Sequence, residues 1–397
     1  MNSQEYLDMM NSIYEKILNF LEEEVSSDKN LLLKDIFNNT KINDNKYNLL
    51  SFLHLVSKIS DNRCRFTNFF SKIERIFQIF KEDIKKYFSN SEIFNIFKSN
   101  KRILLIIIEQ QIIVFDEYIA KKITKTSKYI KAKYPHYFQP ELQPFIDEKW
   151  FPKYDPEIPE LKINEWIEEI KRKLPENFYE KRKEGENDSK ICELIRKDMI
   201  SEFVEYVTRN NVSLNSKIQP SIYETNSFLL SKKKKSNLNL NSSQKNVGFS
   251  LIEYAAFFGS LKILKYLCFK GVQLTQSLLP LVIHSKNVKI IHFLKDNQVE
   301  LDDESCKQAF YESIKCHHND IANYFINSIL QNDEENSQDT FNRCLKYYNV
   351  AFLKNEFINE SSFCNLCKYD YCAIVDYLLK NKEIDVNKIE IFNIMFI

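Results

Sequence analysis

The stretch Leu251–Leu274 constrains this chain most: L-I-E-Y-A-A-F-F-G-S-L-K-I-L-K-Y-L-C-F-K-G-V-Q-L. Its first apolar face carries the small pair Ala255-Ala256 and stops at Gly259. A second amphipathic run, Leu261, Ile263, Leu264, Tyr266 and Leu267, stops at Gly271. Apolar residues at helical spacing, interrupted by a glycine free to turn left-handed, describe two short antiparallel helices joined by a tight turn. Such a hairpin has apolar surface on both sides and cannot bury it alone, so it requires neighbours of its own kind.

The pattern recurs. Leu278–Leu301 repeats it at an offset of 27, with Val282 under Ala255 and Ile290, Ile291 and Leu294 on the second helix. In that copy Asn297 takes the place of Gly271, since Asn tolerates left-handed backbone. Ala309–Ile329 follows at an offset of 31. Phe363–Asn387 is clearer, with I-V-D-Y-L-L and then I-D-V-N. Leu194–Leu214 reads as a divergent first copy, and Phe341–Asn359 as a degenerate one.

Residues 1–134 show helical periodicity without repeats. Leu7, Met10, Tyr14, Ile17, Leu18 and Leu21 form one stripe, and Ile73, Ile76, Phe77, Phe80 and Ile84 another. Ser91 is expected to cap the helix that begins at Glu92. The apolar run Ile103–Phe115 is too short and too interrupted to span a bilayer, so it reads as a buried helix. Residues 135–190 hold a connector rich in proline and aromatics, followed by an amphipathic helix from Ile163 to Leu174. Within the repeats of 191–397, a lysine- and serine-rich insert at 231–247 reads as an exposed linker. The expected fold is all-α: a helical N-terminal domain followed by a helical solenoid of about five or six units.

The four glycines, Gly185, Gly248, Gly259 and Gly271, have neither the spacing of a phosphate-cradling loop nor that of a nucleophile elbow. No histidine is followed by glutamate in a zinc-protease pattern. No catalytic residue and no cofactor is therefore assigned. With 56 basic and 55 acidic side chains, no global field draws the chain to nucleic acid. The run Lys232–Lys235 stands alone as a basic cluster, and reads as a solvated loop or a nuclear-import signal. Nine cysteines and an N-terminus without an apolar core point to reduced thiols and an intracellular location, cytoplasmic or nuclear. Cys364-Asn-Leu-Cys367 lacks a second pair, so these thiols read as small buried apolar groups and no metal is expected. The His317-His318 pair reads as surface or capping histidine at a turn. The apolar ending I-F-N-I-M-F-I is expected to mark an interrupted reading frame or an end covered by a partner.

Several phrases together point to a family: I-C-E-L-I-R-K-D at 191–198, E-T-N-S-F-L-L at 224–230, L-I-E-Y-A-A-F-F-G-S at 251–260 and I-K-C-H-H-N-D-I-A-N-Y at 314–324. N-K-R-I-L-L at 100–105 and P-E-N-F-Y-E at 175–180 join them. The chain resembles an uncharacterised ankyrin-repeat family, a domain of unknown function with a helical N-terminal region that is expanded in parasitic protists. The resemblance covers most of the chain. It implies ankyrin-like repeats and no established reaction. In ankyrin-type solenoids a protein partner meets the concave face. Matching the A-A-x-x-G phrase places Tyr254, Phe257 and Phe258 there, then His284 and Ser285, Glu312 and Lys315, and Asn365 and Lys368. The expected function is a protein–protein scaffold or adaptor without catalysis. The alternatives are an enzyme with an unrecognised helical active site in residues 1–190, and nuclear or nucleic-acid association through Lys232–Lys235.

Overall fold

A computed structural model describes residues 2–22, 41–62, 68–126, 133–145, 168, 172–219, 221–230, 248–299, 302–327 and 337–381. The Lys232–Lys235 run, Pro156, Pro159 and the final residues 382–397 lie outside these, as does most of the Ile163–Leu174 stretch. Among the described residues the chain is all-helical. It has no strand, and its isolated antiparallel bridge joins Lys217 to Ser250. The principal helices are α1 (Ser3–Glu22), α2 (Lys46–Asn62), α3 (Phe69–Tyr87), α4 (Asn90–Phe97), α5 (Lys101–Glu109), α6 (Glu117–Lys125), α7 (Lys190–Arg196), α8 (Ile200–Arg209), α9 (Leu251–Phe258) and α10 (Leu261–Phe269). They continue with α11 (Leu279–Ser285), α12 (Val288–Asp296), α13 (Asp303–Cys316), α14 (Asn319–Phe325), α15 (Gln338–Tyr347), α16 (Phe363–Lys368) and α17 (Cys372–Lys380).

The first helix of each pair ends in the same way. Asp198, Gly259, Lys286, His317, Tyr348 and Asp370 all take left-handed backbone, with φ between 50 and 77°. In five of these six turns the next N–H reaches back five residues to a carbonyl: Met199 to Leu194, Ser260 to Ala255, His318 to Ser313, Asn349 to Cys344 and Tyr371 to Leu366, at 2.9–3.1 Å. This is the bond that satisfies an orphan carbonyl at a helix end when the chain turns left-handed. Glycine is the easiest residue there, yet only Gly259 is one. The other five positions are therefore invisible to a search for glycine. The same stop closes α5, where Gln111 has φ 57° and the Ile112 N–H bonds the Ile107 carbonyl. At the end of α12 the left-handed residue is Gln298, at φ 56°, whereas Asn297 has φ −93°. The residue equivalent to Gly271 is thus Gln298, not Asn297.

The degenerate unit is half formed. Helix α15 is regular, but Val350–Phe352 makes only a single 3-10 turn where a second helix stands in the other pairs. The cap of α4 is Ser89 rather than Ser91. The Glu92 N–H donates to the Ser89 hydroxyl, and the Ser89 N–H donates to the Glu92 carboxylate. The apolar run is buried as expected. Ile103, Leu104, Leu105, Ile106 and Ile107 on α5 are almost wholly inaccessible, and no described helix is long and apolar enough to cross a membrane.

The chain divides into two compact units, Met1–Tyr87 with Leu274–Ile397, and Phe88–Gln273. Grouping by repeat pattern separates residues 1–134 from 191–397, whereas packing groups α1–α3 with α11–α17. In this discontinuous unit α1 packs against the Val350–Phe352 turn and α17, and α2 packs against α13 and α17. The turn residues of the pairs meet these N-terminal helices. The Tyr14 hydroxyl lies 3.3 Å from His317 Nδ1 and accepts from Asn319 Nδ2 at 3.0 Å. The His54 ring stacks on Tyr348 at 5.3 Å, and its Nε2 is 3.2 Å from the Asp370 carboxylate.

In the continuous unit α7–α8 and α9–α10 form two pairs. The Ser260 hydroxyl donates to the Ile195 carbonyl, joining their turns. The proline-rich stretch contributes short helices at Tyr134–Tyr137 and Gln139–Leu142 that bury Tyr134, Tyr137 and Leu142. Arg182 is held there by two bonds to the Glu141 carboxylate, at 2.8 and 2.9 Å. Both bonds come from Nη1, and a charge-assisted pair of this kind is a form in which a buried charge is tolerated.

Candidate functional site

The residues expected on a partner-binding face divide sharply. In the continuous unit Tyr254 and Phe257 are buried and Phe258 is half-buried. Tyr254 faces inward, where its hydroxyl accepts from Arg196 Nη1 at 3.0 Å, and Arg196 Nε lies 2.6 Å from the Glu186 carboxylate. Burial pushes the nearby Cys192 thiol up to about 11, so it is an inert thiol rather than a nucleophile. Phe257 packs on Phe228 at 5.7 Å, with rings nearly parallel. These aromatics belong to the core.

In the discontinuous unit His284 is also buried, whereas Ser285 and Asn365 keep partial exposure and Lys368 is exposed. The side chains of Glu312 and Lys315 each keep 17% of their surface and bond to each other. The largest exposed apolar side chains of the pairs lie instead on second helices. Phe269 on α10, 84% exposed, is the extreme, and in the discontinuous unit Val288, Tyr324 and Leu379 stand on α12, α14 and α17.

The buried His284 belongs to a polar cluster between successive pairs. It stands in the last turn of α11, which packs along α13. Its Nε2 is 2.7 Å from Glu312 Oε1, and its Nδ1 is 3.3 Å from Cys316 Sγ. Lys315 Nζ donates to the same Glu312 oxygen at 2.6 Å. Glu312 and Cys316 are four apart on a helix, so both project from one face. Burial lowers the His284 pKa and favours the neutral ring. Burial alone would raise the Glu312 carboxyl, but the hydrogen bond from His284 and the Lys315 ammonium outweigh it and hold the group ionised.

Sequence reasoning placed three of these four residues singly on an interaction face or at a turn. Their convergence was not visible, because 28 residues separate His284 from Glu312 and no motif has that spacing. A sulfur, an imidazole and a carboxylate in line resemble a nucleophile–base–orienter set. Cys316 and His284 are fully buried, however, so the sulfur presents no surface to a substrate in this packing.

Two further expectations are corrected. His317 and His318 are buried, not at the surface, since the turn that carries them is covered by α1. Cys367 is exposed and Cys364 half-buried, because Phe363 and Leu366 are the residues that α16 turns inward. All eight described cysteines are free thiols. The chain matches no family model, no curated protein and no solved structure.

Proposed function

We propose that the chain is a scaffold of ankyrin-like helix pairs that binds a protein partner and carries out no catalysis. The recurring left-handed stop carries this reading. One left-handed turn conformation recurs at Asp198, Gly259, Lys286, His317, Tyr348 and Asp370. Stacked pairs of that kind expose long rows of side chains suited to a macromolecular partner. Within the discontinuous unit, Ser285, Asn365 and Lys368 are the expected face residues that keep surface to offer, and Lys368 is the most exposed. The turns of the fourth, fifth and last units, at His317, Tyr348 and Asp370, are engaged by α1 and α2.

The test is affinity purification of the tagged full chain, followed by mass spectrometry, with two variant sets. Lys368→Glu with Asn365→Ala alters the first-helix face, and Phe269→Ser with Leu379→Ser alters exposed apolar side chains on a second helix of each unit. Circular dichroism checks that each variant is folded. A stoichiometric partner whose recovery drops at least tenfold in the first set, and not in the second, supports the reading. Equal recovery by wild type and the first set refutes it for this face.

A further inference from the structure

We propose that His284, Glu312 and Cys316 form a divalent-cation site of the zinc class, whose carboxylate ligand is held by the Lys315 ammonium in the metal-free chain. Among the described residues these three donors converge, with one ligand atom from each lying within 4.8 Å of the others. The site departs from the expectation of no metal. That expectation rested on Cys364 and Cys367, which lie elsewhere, on α16.

The donor set selects the metal. An imidazole nitrogen, a thiolate sulfur and one carboxylate oxygen suit zinc, or cobalt as its surrogate, whereas magnesium and calcium require mostly oxygen. A tetrahedral ion with bonds of about 2.0–2.3 Å holds its donors roughly 3.3–3.8 Å apart. Cys316 Sγ stands 3.8 Å from His284 Nε2 but only 3.3 Å from Nδ1, so the imidazole must turn within its packing to bring Nε2, the sulfur and the carboxylate round one ion. The His284–Glu312 separation of 2.7 Å is that of a hydrogen bond. It must open by roughly half an ångström when the ion replaces the shared proton.

The placement is favourable. Glu312 and Cys316 are fixed on one face of α13, a regular helix of 14 residues whose start is capped by Asp302. His284 and Cys316 are fully buried, so both enter the site already stripped of water. Glu312 and Lys315 line its solvent side, with 17% of each side chain exposed. Through that opening Lys315 can swing its amine into water, and a water molecule can enter as fourth ligand. Coordination at Nε2 leaves the ring proton on Nδ1, and one proton, that of the Cys316 thiol, passes to solvent, so affinity rises with pH.

Lys315 separates this proposal from the plainer reading, in which the four residues are only a hydrogen-bonded tie between helix pairs. A tie is weakened by loss of Lys315, whereas a metal site is relieved of a competing cation. The full chain, stripped with chelator and then dialysed free of it, is titrated with cobalt(II) and followed by absorption. One equivalent is expected to give a sulfur-to-cobalt charge-transfer band with the visible bands of tetrahedral cobalt, and zinc is expected to bleach both. Cys316→Ser should abolish the charge-transfer band, and Cys364→Ser with Cys367→Ser should retain it. His284→Gln should weaken binding about tenfold or more, and Lys315→Gln should tighten it about tenfold. Lys315→Gln alters a partly exposed group, so it keeps the test intact if a buried variant fails to fold. Absence of the band in the wild type overturns the proposal. So does a band that survives Cys316→Ser, or binding that is no tighter in Lys315→Gln.

Discussion

The Asp198 carboxylate accepts hydrogen bonds from the backbone N–H groups of Lys262 and Ile263, each at 3.0 Å. Asp198 is itself the left-handed residue that ends α7, so the stop of one pair caps the second helix of the next. Local conformation and pair-to-pair packing meet in a single side chain. Replacing Asp198 with Ala leaves the two N–H groups without this partner and should cost about 1 kcal/mol. Asp198→Asn keeps an acceptor and tolerates the left-handed turn, so it should cost less. Urea unfolding of both variants measures this, and identical midpoints for wild type and Asp198→Ala would show that the cap contributes nothing.

Ala255 lies on α9 with no accessible surface, and α9 packs against both α7 and α10. Ala255→Glu forces a carboxylate into that contact without a cation to meet it. The expected loss is roughly 3–5 kcal/mol, as for an unpaired buried charge. A melting temperature equal to that of the wild type would contradict the packing described for this pair.

Two glycines separate conformational strain from steric conflict. Gly271 has φ +86° with nothing near the position of an added Cβ, so Gly271→Ala should cost only the left-handed backbone term, about 1–2 kcal/mol. Gly248 has φ +136°, and its Cβ would sit 2.4 Å from the Ile218 carbonyl oxygen. Gly248→Ala must also displace the backbone that bonds Ile218 to Phe249, so it should lose clearly more. Thermal melts of the two variants rank them, and the reverse order would refute this assignment.

On the exposed start of α7, hydrogen bonds from Lys197 and Lys190 lower the Glu193 carboxyl from 4.5 to about 2. Its folded pKa lies below the unfolded one, so its contribution is complete above the unfolded value and is lost as pH falls through the folded value. The pair is solvent-exposed and screened, which limits the contribution to below ~1 kcal/mol. Glu193→Gln should therefore be slightly less stable than wild type near neutral pH and indistinguishable from it at about pH 2. Denaturation midpoints across that range, with a difference that grows on acidification, would reverse the sign of this assignment.

Local pattern was enough for the helices and their pairing. The apolar stripes of Leu7–Leu21 and Ile73–Ile84, the buried run at Ile103–Ile107 and the hairpin at Leu251–Leu267 all stand where periodicity places them, because a helix writes its buried face into the chain every three or four residues. The left-handed stops were legible only at glycine. At His317, Tyr348 and Asp370 the conformation is tolerated because tertiary neighbours, Tyr14 and His54 among them, occupy the turn. The return of α1 and α2 onto α13 and α17, the inward aim of Tyr254 and Phe257, and the meeting of His284 with Glu312 and Cys316 were decided by tertiary structure alone. Each joins residues or faces that no fixed sequence spacing relates. An apolar face specifies that it must be covered, while the covering surface is settled by which surfaces fit once the whole chain has collapsed.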